Sequence, residues 1–185
     1  MLDAALQQAI HCVQQGGVLA YPTEAVYGLG CNPQQLAAVQ RILELKQRPA
    51  HKGLILIAAD WAQLSTWLQP LSAEVQARVM ADYAYPITWL LPAATHVSPL
   101  IRGAHDSLAV RVTQHPTSRL LCQALGYPLI STSANRSHDA PARSAAEVRA
   151  YFADTLDYIL DAPLGSANQP SEIRDALSNQ LIRPA

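Results

Sequence analysis

The sequence predicts an α/β fold, a single domain built on a twisted, open, mixed sheet flanked by helices. Two observations predict it. Short apolar runs at 18–21, 53–58, 87–91, 107–112 and 127–131 alternate with segments whose apolar residues recur every three or four positions. That exchange of strand and helix periods marks the α/β class. One run, GLILIA at 53–58, is apolar throughout and bounded by turn signals, as expected of a strand covered on both faces. With 185 residues, 50% hydrophobic and 15% charged, the chain can bury a core as one domain, residues 1–185. No repeat, low-complexity stretch or linker divides it.

Residues 2–15 place Leu2, Ala5, Leu6, Ala9, Ile10 and Val13 at helical spacing, and Gly16 with Gly17 stops the helix. The first strand, 18–21, breaks at Pro22 into a loop. Over 20–30 that stretch reads AYPTEAVYGLG and turns through Gly28 and Gly30. Pro33 suits a helix start, and Leu36, Val39, Ile42 and Leu43 carry a helical period out through Lys46 to Pro49. After strand 53–58, Asp60 can cap a helix bearing Trp61, Leu64, Trp67 and Leu68. Residues 72–82 read as a helix, 87–91 and 107–112 as strands, and 116–125 as a helix closed by Gly126. Strand 127–131 then feeds a polar loop, STSANRS. Ser144 and Glu147 form a capping box for a short helix to about Tyr151. Segments 156–160 and 180–183 are the closing strands, joined by a loop containing Pro170 and Ser171.

Composition excludes several classes. A net charge of −1 does not indicate a strongly basic nucleic-acid binder. Cys12, Cys31 and Cys122 are odd in number and lack a CxxC. They read as buried structural thiols in a reducing compartment, not as a disulfide framework or zinc site. The N-terminus shows no secretory signal, and no apolar run approaches the roughly 20 residues of a membrane span. A cytoplasmic protein is expected. The sequence has no GxxxxGK[ST], GxGxxG or GxSxG, so a P-loop, a dinucleotide fingerprint and an α/β-hydrolase are not indicated. Its six histidines show no HExxH, and no protein-built metal cage is expected. His51 reads as incidental.

Three polar clusters follow strand or helix ends. The first is Tyr21, Thr23, Glu24 and Tyr27. It is either a ligand-binding loop at a strand's carboxyl end or a tight turn with incidental polar residues. The second is Lys46, Arg48 and Lys52. Cations at a helix C-terminus commonly complement its dipole on a solvated surface. Held on a short loop between Pro49 and a buried strand, these three also suit a polyphosphate. The third is Ser131, Thr132, Ser133 and Asn135. Arg111, within the apolar SLAVRV strand, must be in an internal ion pair or aimed at an anionic ligand such as a carboxylate.

YPTEAVYGLG, LKQRPAHKGLILI, SLAVRV, STSANRS and PSEIRDAL together resemble the YrdC/Sua family, and most closely its short bacterial branch. The resemblance runs from about residue 17 to the C-terminus, with the motifs in family order. The KxR plus SxN combination is its specific part. It implies a twisted open sheet around a concave, positively charged cavity. It implies L-threonylcarbamoyladenylate synthesis, a nucleotidyltransferase reaction. L-threonine, bicarbonate or CO₂ and ATP would give threonylcarbamoyl-AMP and pyrophosphate. A separate transfer complex would pass the product to the adenosine beside the tRNA anticodon.

By motif, Thr23 would contact threonine and Arg111 its carboxylate. Lys46 and Arg48 would hold the phosphates, and Ser133 and Asn135 would complete the nucleotide and carbamate site. Ser107, Arg143, Ser171 and Arg183 fall where the family makes further substrate contacts. Mg²⁺ would arrive with ATP. Three positions depart from the family pattern. Ala25 replaces a second threonine, Tyr83-Ala84-Tyr85-Pro86 replaces WPGP, and His138 replaces a glycine. Double-stranded RNA binding is ascribed to the family, so a non-catalytic RNA-binding or ribosome-maturation factor is the alternative. The chain's acidic balance weighs against it.

Overall fold

The computed structural model describes residues 3–185; Leu2, predicted to open the first helix, lies outside them. Among the described residues nine strands form one sheet in the order β7-β1-β2-β6-β3-β5-β4-β8-β9. They are β1 (Leu19–Pro22), β2 (Tyr27–Gly30), β3 (Ile55–Ala58), β4 (Thr88–Pro92), β5 (Ser107–Val112), β6 (Leu129–Ser133), β7 (Tyr158–Ile159), β8 (Ile173–Asp175) and β9 (Leu181–Arg183). The sheet is mixed: β1/β7, β3/β5 and β4/β8 run parallel, and the other neighbours antiparallel.

Period-two alternation builds two cores, one on each face. Leu19, Tyr21, Ile57 and Leu129 pack beneath α1 (Ala4–Gln14) and α5 (Pro116–Leu125). Val18, Ala20, Leu56, Ala58 and Ile130 face α2 (Leu36–Leu45), α3 (Ala73–Val79), α4 (Pro99–Arg102) and α6 (Ala145–Phe152). Both faces of GLILIA are thus covered, which is why it carries no alternation of polarity. Each fully buried Leu or Ile contributes about 1.5–3 kcal/mol of transfer free energy.

Several local predictions need correction. Tyr27–Gly30, expected as loop, is a strand that returns antiparallel to β1 in the register Leu19↔Gly30, Tyr21↔Gly28. Glycines lower strand propensity, but Gly30 is here because the Tyr21 ring lies over it. A Cβ on Gly30 would sit 2.6 Å from Tyr21 Cε1. The Asp60-capped segment is a 3-10 helix, Ala62–Trp67, and α4 and β8 were not foreseen. Both are short and owe their form to neighbours. The N-cap position falls to Trp61, and Asp60, one residue earlier, accepts from Gln63 N–H at 3.1 Å. Ser144 does cap, but Glu147 reaches back to Arg143 N–H (2.6 Å), so the box closes one residue early.

Candidate functional site

The site forms on the α1/α5 face, beyond the area those helices cover. Across the register, Arg111 lies beside Ile57 and Ser131 beside Ile55. Polar residues therefore emerge on that face where the strands pass out from under α5.

The first wall is the end of α2. Lys46 is its C-cap and Gln47 is left-handed, with φ 50°. Arg48 N–H donates to the Leu43 carbonyl and Gln47 N–H to that of Glu44, each at 2.9 Å. This is a Schellman ending with glutamine where glycine is usual. It turns Lys46 inward, 3% exposed, while Arg48 lines the cavity. Lys46 Nζ donates to the Ser133 carbonyl (2.5 Å), the Asn135 carbonyl (2.8 Å) and Asn135 Oδ1 (3.2 Å). Three acceptors use all three protons of an ammonium. Burial, and then the nearby Arg48, lower the Lys46 pKa to about 7. Arg48 spends Nε and Nη2 on the Gly53 carbonyl at 3.1 and 3.0 Å.

The second wall is the loop after β6. Ser133 Oγ donates to Asn135 Oδ1 at 2.6 Å, and Asn135 Nδ2 donates to the carbonyls of Arg136 and Asp139. Ser137 N–H and Oγ both donate to the Lys46 carbonyl, at 2.8 and 3.0 Å. His138 holds φ 80°, a left-handed conformation that explains the glycine of the family pattern.

The third wall is the turn between β1 and β2. Thr23, 5% exposed, donates from Oγ1 to the Val26 carbonyl at 2.7 Å. Tyr27 OH donates to the Ala162 carbonyl at 2.8 Å, which makes it scaffold. Glu24 accepts from Thr113 Oγ1 (2.6 Å) and Gln114 N–H (3.2 Å) and pairs with Arg111 at 3.4 Å. Burial opposes the charge on Glu24, but Arg111, Thr113 and backbone N–H groups outweigh it and hold the carboxyl below its ordinary range.

Arg111 is in an internal ion pair, with Glu24, and it also lines the cavity. Arg111 Nη1 donates to Ser171 Oγ at 2.8 Å, while its buried Nε has no hydrogen-bond partner. Arg183 Nη2 donates to the Ser171 carbonyl at 2.8 Å. Burial and the nearby Arg111 lower the Arg183 pKa.

The cavity so enclosed is about 280 Å³ and is lined by Thr23, Glu24, Arg48, Arg111, Ser133, Ser171 and Arg183 among others. Three arginines face one carboxylate, itself already paired. Lys46 and Asn135 sit behind Ser133. Lys52 and Arg143 are exposed and, like Ser107, do not line the cavity. A larger hollow, about 700 Å³, runs along α1 beside His11, Arg41 and Asp157. Size does not choose between them; the converging cations and the orphan Arg111 N–H do. Sequence reasoning missed Thr88 and Thr113, which support Ser171 and Glu24. Their only signal was a hydroxyl within or just after an apolar strand. Cys31 and Cys122 are buried, which pushes their thiols up to about 12 and suits structural thiols; Cys12, expected to be buried, is only partly so, its thiol pushed up to about 11. Among the described residues no cluster of three His, Cys, Asp or Glu side chains could hold a metal, and no helix is long and apolar enough to cross a membrane.

Fold and site together define an α/β protein with a cavity lined by three arginines. The chain belongs to the Sua5/YciO/YrdC family, described as "Telomere recombination", which it matches over residues 11–185. It is 50% identical to the threonylcarbamoyl-AMP synthase of Nitrosococcus oceani over 175 residues, 95% of each chain. It is 47% identical to that of Idiomarina loihiensis, covering 95% of this chain and 96% of the relative. Among solved structures, P. abyssi Sua5 complexed with L-threonine gives a TM-score of 0.85 at 31% identity over 92% of this chain. The chain spans about half the length of that protein (50%). E. coli YciO gives 0.78 at 26% identity, over 97% of this chain and 88% of its own.

Proposed function

We infer that this chain is a threonylcarbamoyl-AMP synthase, the activity named in its full-length relatives. The observation that carries the reading is the convergence of Arg48, Arg111 and Arg183 on one cavity beside Thr23 and Ser133. Threonine's carboxylate would meet Arg111, whose buried Nε lacks an acceptor, with Thr23 and Ser171 alongside. The threonine amine attacks CO₂ and releases a proton, or attacks bicarbonate with loss of water, to give a carbamate. A carbamate oxygen then forms a bond to the α-phosphorus of ATP. The bond from that phosphorus to the β-phosphate oxygen breaks, and pyrophosphate leaves with the electron pair.

Little covalent help is needed, so positioning and charge carry the catalysis. Arg48, which bonds Gly53 through Nε and Nη2, and Arg183 would stabilise the developing charge on the phosphates. Lys46 adds its charge and orders the Ser133–Asn135 loop; direct contact with a phosphate requires it to exchange one of its three acceptors. At about 280 Å³ the cavity is at the small end for a ligand site, so the nucleoside extends through its mouth. Mg²⁺ would enter with ATP and be held by its phosphates and water, since the cavity's carboxylate, Glu24, is engaged by Arg111. The product would supply threonylcarbamoyl to a tRNA-modifying complex in the cytoplasm.

Pyrophosphate release from ATP by the purified protein tests the reading. Release that requires both threonine and bicarbonate is expected. Release indifferent to either overturns it, and salt-sensitive binding of duplex RNA without turnover favours the RNA-binding alternative.

A further inference from the structure

We propose that Thr88 is a positioning residue that makes Ser171 a hydroxyl donor to the carboxylate held at Arg111. The inference rests on the reading of threonine at Arg111 given above.

Thr88 is fully buried at the start of β4, in the run TWLLP. Its neighbour Trp89 pairs with Val110 on the antiparallel strand β5, so Thr88 lies across from Arg111. Packing alone needs no hydroxyl there, since valine has the same shape. The hydroxyl has a specific partner. Thr88 Oγ1 and Ser171 Oγ are 2.7 Å apart, and Ser171 Oγ also accepts from Arg111 Nη1 at 2.8 Å.

A serine oxygen has two lone pairs and one proton. Arg111 can only donate, so it fills one lone pair. When Thr88 donates into the other, Ser171 can accept nothing more, and its proton is left for an acceptor in the cavity that Ser171 lines. The reverse order, Ser171 donating to Thr88, serves the empty site. An anionic ligand selects the first order. A carboxylate in the cavity that Arg111 and Ser171 line would accept from the Ser171 hydroxyl and meet the guanidinium charge, so the arrangement recognises the acid function of the amino-acid substrate.

Steady-state kinetics of Thr88→Val and Thr88→Ser test this. Valine keeps the shape but removes the donor that fixes the Ser171 hydroxyl, and is expected to raise KM for threonine about two- to tenfold, the worth of one neutral hydrogen bond. KM for ATP and kcat should stay within about twofold of wild type, because only ground-state binding of threonine is touched. Thr88→Ser should restore the threonine KM. In a Ser171→Ala background Thr88→Val should have no further effect on it. An unchanged threonine KM in Thr88→Val, equal defects in both variants, or a valine effect that persists without the Ser171 hydroxyl overturns the proposal. Should the valine variant not fold, Thr88→Ala gives the same comparison. A wild-type enzyme with no threonine dependence instead overturns the synthase reading, and this inference with it.

Discussion

Lys46 Nζ donates to the Ser133 carbonyl across 87 residues of sequence, and the same ammonium holds both oxygens of Asn135. The basic end of α2 and the loop after β6 are therefore one unit. Lys46→Ala and Arg48→Ala should each cost at least tenfold in rate, about 1.4 kcal/mol of barrier or more. The two differ in a second measurement. Only Lys46→Ala should lose hydrogen-exchange protection at Ala134 and Ser137, because Arg48 bonds to Gly53 and not to that loop.

The protonation of Lys46 predicts a pH profile. Its folded pKa of about 7 lies below its ordinary value of 10.5, so the unfolded chain binds the extra proton across that window. This group's contribution to stability therefore rises with pH from about 7 to 10.5. Activity should run the other way, since loss of the ammonium releases the loop. A basic limb near pH 7 is expected in kcat/KM for ATP. Arg48→Gln removes a neighbouring charge that lowers the Lys46 pKa and should move the limb to higher pH. A profile flat from about pH 6 to 9 overturns the assignment.

His115 predicts the acid side. It caps α5, with Nδ1 accepting from Ser118 N–H at 3.3 Å and Nε2 set 3.1 Å from the Pro163 carbonyl. That network assigns the proton to Nε2. Burial lowers the His115 pKa despite Glu24 and Pro163, which favour the charge. Protonation at Nδ1 would set a hydrogen against the Ser118 N–H donor. With the folded value depressed, the contribution is full above the unfolded value near 6.5 and is lost as pH falls through the folded one. Urea unfolding from about pH 7.5 to 5.5 should show a decline that His115→Gln flattens.

Gln47 stands left-handed without being glycine. Gln47→Gly should stabilise the protein by about 0.5–1 kcal/mol in urea unfolding, because the Cβ strain outweighs the added freedom of the unfolded chain. The Schellman bonds and the Ser137 bond to the Gln47 carbonyl are backbone-directed on this residue's side, so turnover should be unchanged.

The corrections share one cause. The AYPTEAVYGLG stretch was legible as a polar turn, and Thr23 does line the cavity. It was not legible as a hairpin, because Gly28 and Gly30 argue locally against a strand. What makes them a strand is the Tyr21 ring above Gly30, a contact across two strands. Lys52 was grouped with Lys46 and Arg48 by closeness in sequence. The 3-10 turn Ala50–Lys52 places it in solvent, away from the cavity.

The amino-acid order by itself determined the strand and helix periods, the GLILIA strand buried on both faces, the Pro116–Leu125 helix and the motifs that mark the family. Each is written in local spacing, to which side-chain periodicity responds directly. Only the tertiary structure decided which polar groups meet: Glu24 with Arg111, Ser171 with Thr88, and Lys46 with the Ser133 carbonyl. Those partners are 83 to 87 residues apart. Hydrogen bonds and ion pairs are set by distances of a few ångströms in space, and strand order fixes those distances without leaving a period in the sequence.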